Sequence, residues 1–573
     1  MPTAAVNEEL ARRVVAAAGR ALDVELTPEQ ALVQVSPREG VDYQANLAMS
    51  LGKRLGRAPR EVAGLIADAL ELDGIAEAPE IAGPGFLNFR LRKEWLEQRT
   101  AALVDDPRLG IAPAAEPRRI ALDYSSPNVA KEMHVGHLRS SVIGDALARL
   151  LRFAGHEVLP HNHVGDWGTP FGMLIEHLLD APAGERGISD LDAFYREARR
   201  KFDGDEAFAT RARNRVVLLQ SGDAGTLAIW HELVDESTRH FNEVYALLGI
   251  SLTDKDIYGE SFYNPYLATV VDDLEAAGLT EISDGAVCVF PDGFRNREGD
   301  RLPLIVRKRD GGYGYAATDL ATLRYWTAER GATDLLYVVG TPQAQHFAMV
   351  FAVCRAAGWL TGRAEHIGFG TVLGTDGKTM RTRAGESIKL VDLLGEAVTQ
   401  AVAMVAERSE LSPDEQPAVA RAVGIGAVKY ADLSGDRERD YVFAWERMLA
   451  KEGNTSVYLQ YAHARTRSIL RKADEEPAEA PILLAEPAER ALALKLARFG
   501  EALSTATADY APHKLCTYLY ETAVAFSQFF EHCKVLKAPS PELRASRLRL
   551  TTLTARTLAL GLSLLGIDAP DQL

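Results

Sequence analysis

The chain contains 573 residues, 47% hydrophobic and 25% charged, and carries a formal net charge of −16. This composition is that of an ordinary globular protein with about three or four domains, and it excludes a disordered or fibrous chain. No run of about eighteen apolar residues is present, so we expect no transmembrane helix. The acidic balance argues against general affinity for DNA or other nucleic acids, because phosphate contacts need Lys and Arg.

The N-terminus and the cysteines predict a cytoplasmic protein. The first ten residues lack the basic start and the apolar core of a secretory signal. The four cysteines are scattered and include no Cys-x-x-Cys pair. This pattern is typical of a reducing compartment, without disulfides or structural zinc.

Residues 1–110 are predicted to form a separate α+β domain. Its predicted elements are helices at 8–22, 46–55 and 59–72, a strand at 31–35, and a glycine-proline turn leading into an alternating strand at 81–91. No residues in this domain have the spacing of a catalytic motif. A stretch rich in Pro and Ala at 105–117 is the predicted linker to the next domain.

The centre of the chain predicts a βαβ unit. A strand at 119–124 is followed by a loop, a helix with one apolar face, and a second strand at 157–164. The loop lies at the carboxyl end of the first strand, where open α/β sheets bind ligands. We therefore expect a Rossmann-type core over 117–447, with a helical insertion at about 178–265 and further strands of the same sheet at 286–290 and 304–307.

This loop carries chemistry suited to a nucleotide. Gly136 would let the backbone approach a ligand at the helix N-terminus, where free N–H groups favour negative charge. His134 and His137 are three residues apart and can face one bound group, while Lys131 and Arg139 add cationic charge. The spacing alone leaves other interpretations open.

One alternative is a capped helix with two surface histidines. Another is a metal site that also includes His161 and His163, although no cysteine or acidic residue has zinc-like spacing here. A Walker loop is excluded, because no Gly-x-x-x-x-Gly-Lys-Ser/Thr is present.

Residues 125–140 have the sequence Ser-Ser-Pro-Asn-Val-Ala-Lys-Glu-Met-His-Val-Gly-His-Leu-Arg-Ser. This stretch closely resembles the first signature of class I aminoacyl-tRNA synthetases, in the form used by arginyl-tRNA synthetases. The generic His-x-Gly-His also occurs in other nucleotidyl transferases, but the flanking Ser-Ser-Pro-Asn-x-Ala-Lys is far more specific. The resemblance implies ATP-dependent activation of L-arginine to arginyl-adenylate. Transfer to the 2′-hydroxyl of the terminal adenosine of tRNA would follow.

The second class I signature, normally Lys-Met-Ser-Lys, corresponds to the loop at 374–385. The standard form is degenerate here, as in many arginyl enzymes, which carry a compensating lysine upstream of the histidine signature; Lys131 matches it. By spacing alone, the loop could be a solvated run of charge. The implied catalytic residues are Lys131, His134, Gly136, His137, Lys378 and Arg381, and the implied ATP-binding residues are His134, Gly136, His137, His346 and Lys378.

Tyr315 and Asp319 are four residues apart, which places a phenol and a carboxylate on one face of a helix. A capped helix with a buried Tyr would have the same spacing. The resemblance implies that this pair holds the guanidinium of arginine, whose planar donors match a carboxylate. The implied arginine-binding residues are Asp123, Ser126, Asn128, Tyr315, Asp319 and Gln343. Gln343 and His346 follow a buried strand at 335–340, and a polar helix cap would explain them equally well.

From residue 448 onward the periodicity predicts helices only. Residues 454–573 contain 14 Lys and Arg against 13 Asp and Glu, so the acidic excess lies elsewhere. This region resembles the α-helical anticodon-binding domain of the family, and a plain helical bundle is compatible with that. The implied tRNA-binding residues are Tyr458, Tyr461, Arg465 and Arg467. Residues 1–110 likewise resemble the N-terminal domain with which the family contacts tRNA.

The sequence is thus identified as a member of the arginyl-tRNA synthetases, which implies ATP, L-arginine and tRNA(Arg) as partners. Mg²⁺ is expected as the counter-ion of ATP, and no metal is expected to be held by the protein. We also expect a cytoplasmic monomer that binds neither membrane nor DNA. A synthetase paralogue with a biosynthetic or resistance role remains open. So does a stand-alone nucleotidyl transferase, which would not need residues 454–573.

Overall fold

The computed structural model describes residues 5–72, 74–181, 191–381, 388–406, 411–473 and 479–573. These ranges form an N-terminal α+β unit, a central α/β unit and a C-terminal helical bundle. Among the described helices, none is both long and apolar enough to cross a membrane.

The N-terminal unit is a four-stranded antiparallel sheet in the order β1-β2-β4-β3, with helices packed against it. Its elements are α1 (Val6–Leu22), β1 (Val33–Val35), β2 (Tyr43–Ala45), α2 (Leu47–Leu55), α3 (Pro59–Asp68), β3 (Glu80–Ala82), β4 (Phe86–Phe89) and α4 (Lys93–Asp105). The three predicted helices are confirmed, although the third ends at Asp68, four residues early. The glycine-proline turn is confirmed as the connection between β3 and β4.

The central unit contains the remaining strands. Its elements are β5 (Arg119–Asp123), α5 (Val135–Phe153), β6 (Glu157–His161), α6 (Thr169–Asp180), α7 (Leu191–Gly204), α8 (Glu206–Gln220), α9 (Ala224–Leu248), α10 (Asn264–Ala276), β7 (Thr280–Ser283), β8 (Ala286–Val289), β9 (Leu304–Arg307), α11 (Tyr315–Arg324), β10 (Asp334–Tyr337), α12 (Ala344–Ala356), β11 (Arg363–His366), β12 (Val372–Leu373), α13 (Leu390–Ala406), α14 (Gln416–Leu433), β13 (Tyr441–Val442) and α15 (Trp445–Met448). The described part of the predicted insertion is helical, as expected.

The main sheet is parallel throughout, in the order β11-β10-β5-β6, which confirms the predicted Rossmann-type core. All four residues of β10 are buried, as expected for a strand covered on both faces. The predicted βαβ unit is β5-α5-β6, with the signature loop at the carboxyl end of β5. That edge of the sheet therefore positions the candidate site.

The expectation that 286–290 and 304–307 continue the main sheet is wrong. Strands β7, β8 and β9 form a separate antiparallel sheet. Asp284 and Gly285 connect β7 and β8, both with positive φ (48° and 79°). An Asp-Gly pair of this kind is a two-residue hairpin turn, which can only join antiparallel strands.

The C-terminal bundle consists of α16 (Ser456–Ala473), α17 (Pro487–Ala497), α18 (Phe499–Ala508), α19 (Pro512–His532) and α20 (Pro541–Leu564). One continuous hydrophobic core joins this bundle to α5 and to the N-terminal unit. Polar contacts reinforce the junction, because Arg490 pairs with buried Asp42 at 2.7 Å and Tyr43 donates to Glu501 at 2.7 Å. The three units are therefore held as one body.

Candidate active site

The signature loop after β5 has a strained backbone. Ser125, Ser126 and Ala130 have positive φ values of 72°, 48° and 62°, a conformation that costs about 1–3 kcal/mol for each non-glycine residue. Side chains from elsewhere hold the amides in place. The Ser126 N–H donates to Asn162 Oδ1 at 3.0 Å, and the Ala130 N–H donates to Ser237 Oγ of α9 at 2.9 Å. Strain maintained in this way is typical of functional loops.

The two signature histidines form an interlocked pair at the start of α5. His134 is the N-cap, and its Nδ1 accepts from the Gly136 N–H at 3.0 Å, while His137 Nδ1 accepts from the His134 N–H at 3.1 Å. Burial lowers the pKa of both rings, that of His137 to about 3. Both histidines are therefore neutral at pH 7. Their Nε2–H groups remain as donors for a ligand.

Gly136 is needed for a reason that the sequence did not reveal. A Cβ at this position would lie 2.7 Å from His134 Cε1, so any side chain would displace the His134 ring. The residue is exposed at the helix N-terminus, as the predicted close approach of a ligand requires.

Lys131 and Arg139 were both expected to add cationic charge to the site, but only Lys131 faces a cavity in the structure. Arg139 is 2% exposed and pairs with buried Asp432 of α14 at 2.9 Å. The expectation is wrong for Arg139, since it lies on the face of α5 that packs into the core. Lys131 lines a cavity of about 1220 Å³, and its Nζ lies 4.5 Å from the centre of the Tyr195 ring.

The same cavity is lined by residues from several elements, including Asn128, Glu260 and Tyr315. Tyr315 is the first residue of α11 and is 76% exposed. The alternative of a capped helix with a buried Tyr is thereby excluded. The phenol and the ammonium of Lys131 border one space that is large enough for a small substrate.

Asp319 lies one turn after Tyr315 and is hydrogen-bonded to His346 Nε2 at 2.6 Å. This bond raises the pKa of His346 above its usual value, because the carboxylate favours the protonated imidazole. The family resemblance implied different ligands for Asp319 and His346, and their spacing in the sequence did not predict this contact. Gln343, also implied to bind arginine, is exposed just before α12.

Asp123, at the end of β5, is 5% exposed. Its Oδ1 accepts from Ser126 Oγ at 3.2 Å, and its Oδ2 lies 2.7 Å from His161 Nδ1. Within the described residues, Oδ2 makes no well-aligned hydrogen bond. Oδ2 is buried, and the His161 ring is its polar neighbour at this distance.

Together with His163, Asp123 and His161 could also hold a metal ion, because one ligand atom of each lies within 4.8 Å of the others. The acidic member of this cluster was not predictable from spacing, because Asp123 and the two histidines lie on different strands, β5 and β6, or just after them. Burial lowers the pKa of His163 to about 4, so its ring is neutral.

Glu260 is a candidate residue that the sequence analysis missed entirely. Burial raises its pKa to about 7, and the nearby carboxylates of Asp166 and Asp319 act in the same direction. Among the described residues no basic side chain pairs with Glu260, and a carboxylate of this kind that lines a cavity is suited to bind a cationic ligand. In the sequence, Glu260 only stands near the end of the helical insertion, a position that carries no information without the fold.

The second signature loop forms a tight turn after β12, in which the Gly374 N–H donates to the Lys378 carbonyl at 2.7 Å. Lys378 is exposed, and with Arg381 it lines a second cavity of about 1000 Å³. Residues 382–385, which complete the predicted loop, lie outside the described residues.

The two signature loops are joined just beyond that point. The Val135 N–H donates to the Ile388 carbonyl at 3.0 Å, and the Glu132 carboxylate pairs with Lys389 at 2.9 Å. The positions of the loops carrying Lys131 and Lys378 are therefore physically linked.

In the helical bundle, Arg465 lies 4.9 Å from the ring centre of Tyr461 and 5.4 Å from that of Phe530. Both residues are exposed, at 48% and 41%. Exposed aromatic rings beside a guanidinium are suited to stack on unpaired bases.

The other two implied tRNA-binding residues are already engaged within the protein. The Tyr458 ring packs against Tyr520 at 5.7 Å. Arg467 pairs with Asp571 near the C-terminus at 3.0 Å. Of the four, Tyr461 and Arg465 form the more accessible pair.

Family models match the three units of the chain. Residues 98–445 match the model described as tRNA synthetases class I (R), catalytic domain. Residues 4–91 match the arginyl tRNA synthetase N terminal domain, and residues 459–573 match the DALR anticodon binding domain.

Individual relatives agree over the full length. An arginine–tRNA ligase of Thermobifida fusca is 52% identical, covering 98% of this chain and 99% of its own. One of Frankia casuarinae is 50% identical and covers all of both chains. The arginyl-tRNA synthetase structure from Plasmodium falciparum superposes with a TM-score of 0.88 at 28% identity over the whole of both chains. The Thermus thermophilus arginyl-tRNA synthetase structure superposes with a TM-score of 0.81 at 27% identity, covering 99% of this chain and all of that one.

Proposed function

The chain belongs to the arginyl-tRNA synthetases of class I, and we propose here how its residues divide the work of the reaction. The enzyme uses ATP to convert L-arginine to arginyl-adenylate and transfers the arginyl group to the terminal adenosine of tRNA(Arg). One observation carries the assignment of the site. Lys131, suited to a phosphate, and Glu260, suited to a guanidinium, line a single cavity at the carboxyl end of the parallel sheet.

On the nucleotide side, the chemistry is the displacement of pyrophosphate by the carboxylate of arginine. Little covalent work is required of the protein, so placed donors and cations supply the catalysis. We assign Lys131, Lys378 and Arg381 to the charge that develops on the leaving group. The Nε2–H groups of His134 and His137 hold the phosphates at the N-terminus of α5. Mg²⁺ accompanies ATP as its counter-ion, and we assign no residue to hold it.

On the arginine side, we propose that the guanidinium takes the place of His346 on Asp319, since a carboxylate binds its planar fork of donors with two parallel bonds. His346 is then released toward the nucleotide. We assign Asp123 to a further guanidinium N–H, and Tyr315 closes the cavity over the substrate.

The remaining arginine-binding groups lie along the signature loop and at the start of α12. Asn128 lines the cavity, and we assign it with Gln343 to the α-amino end of arginine. Ser126 is a positioning residue, because its hydroxyl holds Asp123. We assign Asp123 to the guanidinium and expect no metal ion to be held by the protein.

We propose that tRNA is bound by the bundle around Tyr461, Arg465 and Phe530, and that residues 1–110 contact another part of it. The catalytic unit would extend over 117–447 and the anticodon-binding unit over 448–573. We also propose that the chain acts as a monomer. We further propose that this monomer acts in the cytoplasm.

The test is charging of purified tRNA with labelled amino acids, one at a time, in which only L-arginine should be accepted. In the same assay, Tyr461→Leu should raise the KM for tRNA by about 5- to 100-fold, the worth of one stacked base. The KM values for arginine and ATP should not change, because the described residues that line the cavity all precede the bundle in the chain.

Arg467→Ala is the matched comparison, since Arg467 is on the same helix but is already paired with Asp571. It should change the KM for tRNA less than Tyr461→Leu does. A larger effect of Arg467→Ala would indicate that tRNA binds on the other side of α16.

Arginine binding should weaken as the pH falls through 7. The pKa of Glu260 in the free enzyme is raised to about 7, and the cationic substrate needs the ionised carboxylate. Affinity should therefore be complete above pH 7 and should fall by up to about tenfold per pH unit below it. Protonation of His346 acts in the same direction by strengthening its hold on Asp319.

Glu260→Gln separates these two causes. The variant should bind arginine more weakly at pH 8 and should show a flatter decline from pH 7 to 6, measured by calorimetry. Glu275→Gln, at an exposed glutamate of α10, is the control. If the decline of arginine affinity from pH 7 to 6 is unchanged in Glu260→Gln, Glu260 does not bind arginine.

A further inference from the structure

The helical insertion holds the signature loop from outside the sheet. The Lys131 ammonium lies over the ring of Tyr195 in α7, 4.5 Å from its centre. The neighbouring Glu132 N–H donates to Asp192 Oδ1 of the same helix at 3.1 Å. Helix α7 therefore contacts both the side chain and the backbone of the loop at the lysine.

Among the residues that the structure describes, no carboxylate lies within ion-pair distance of Lys131. The nearest acidic residue in the chain, Glu132, is engaged by Lys389 at 2.9 Å. A ring face attracts an ammonium more weakly than a carboxylate does and leaves its charge unneutralised. A lysine held in this way keeps a defined position, and its ammonium can still bind an incoming phosphate.

Lys131 and Tyr195 are both partly buried and line the same cavity. A lysine side chain has several rotatable bonds, and ordering it opposes any contact that it makes with the substrate. Restricting the ammonium before the substrate arrives reduces that cost, which is the general effect of preorganisation.

We propose that Tyr195 is a positioning residue that preorganises Lys131 for the leaving group. The inference deepens the proposed function, because it depends on Lys131 acting on the triphosphate. It assigns a part in the chemistry to the insertion, whose sequence contains no signature. The ring, not the hydroxyl, performs the role.

The experiment compares Tyr195→Leu, Tyr195→Met and Tyr195→Phe by ATP–pyrophosphate exchange with arginine and tRNA present. Leu and Met keep apolar bulk without a ring, so each should lower kcat by about 3- to 30-fold. Tyr195→Phe should remain within about twofold of the original chain, since the ring face is retained. The KM for arginine should not change, whereas general disruption of the cavity would raise it.

Phe194→Leu is the matched control. Phe194 is the adjacent residue on α7, and its ring packs against His177 at 4.9 Å rather than against Lys131. Its loss should leave the exchange rate nearly unchanged. A decrease equal to that of Tyr195→Leu would show that the helix simply needs its aromatic residues, and would overturn the proposal.

A double-mutant cycle with Lys131→Ala completes the test. If Tyr195 acts through Lys131, Tyr195→Leu should have no further effect on kcat once the lysine is absent. The same decrease in both backgrounds would overturn the inference. If Lys131→Ala alone retains full activity, the proposed role of Lys131 fails. If Lys131→Ala strongly lowers kcat and Tyr195→Leu leaves kcat unchanged, only the inference about Tyr195 fails.

Discussion

Replacing Asp319 with Asn should reduce kcat/KM for arginine in the activation step by about 10³- to 10⁴-fold while leaving the KM for ATP within about twofold. The size of the effect follows from the partly buried position of the carboxylate and from its bond to His346 at 2.6 Å. Asn has a similar shape but carries no charge and has only one accepting oxygen. It cannot bind a guanidinium by two charge-assisted bonds.

Selectivity should change together with rate. A site built around a planar cation rejects lysine because its buried polar groups would be left unpaired. Without the Asp319 charge, bound arginine also leaves polar groups of the site unpaired. The preference for arginine over lysine in kcat/KM should therefore become smaller. ATP–pyrophosphate exchange with each amino acid in turn measures both quantities.

Asp273→Asn provides the control for this substitution. Asp273 pairs with Arg324, at the far end of the helix that carries Asp319, at 2.5 Å. Removing its charge should leave the kinetics of arginine activation unaltered. An equal loss of affinity for ATP and for arginine in Asp319→Asn would refute the assignment of this carboxylate to the guanidinium.

The strand-loop-helix unit was predictable because its signals are local. Apolar periodicity located β5, α5 and β6 to within a few residues, and the signature located the loop between them. The second sheet was misplaced for the opposite reason. Apolar runs identify a strand but not its partner, and the informative signal was the Asp284-Gly285 turn beside β8.

Site residues separated along the chain were the hardest to predict. The contact between Asp123 and His161 exists because β5 and β6 pair in register, and spacing within one segment cannot reveal it. Glu260 becomes a candidate only through its burial near Asp319. Arg139 was misassigned because Asp432, which neutralises it, is almost three hundred positions away.

Lys131→Ala should lower the rate of arginyl-adenylate formation by about 10²- to 10³-fold, comparable to the loss of one preorganised donor. Lys378→Ala should have a smaller effect, since its loop is exposed and departs from the usual signature. Both lysines are assigned to the same leaving group. The structure links their loops through the bond from Val135 to Ile388 and through the Glu132–Lys389 pair.

The double variant decides whether the two lysines share one task. Two cations acting on one pyrophosphate should be coupled, so the combined loss should differ from the sum of the single losses in free energy. Single-turnover formation of the adenylate is the measurement, because it excludes product release. Lys255→Ala, at an exposed lysine outside both loops, should have no effect. Strictly additive losses would mean that Lys131 and Lys378 act at separate points of the reaction. They would also contradict the interpretation that Lys131 compensates for the degenerate second signature.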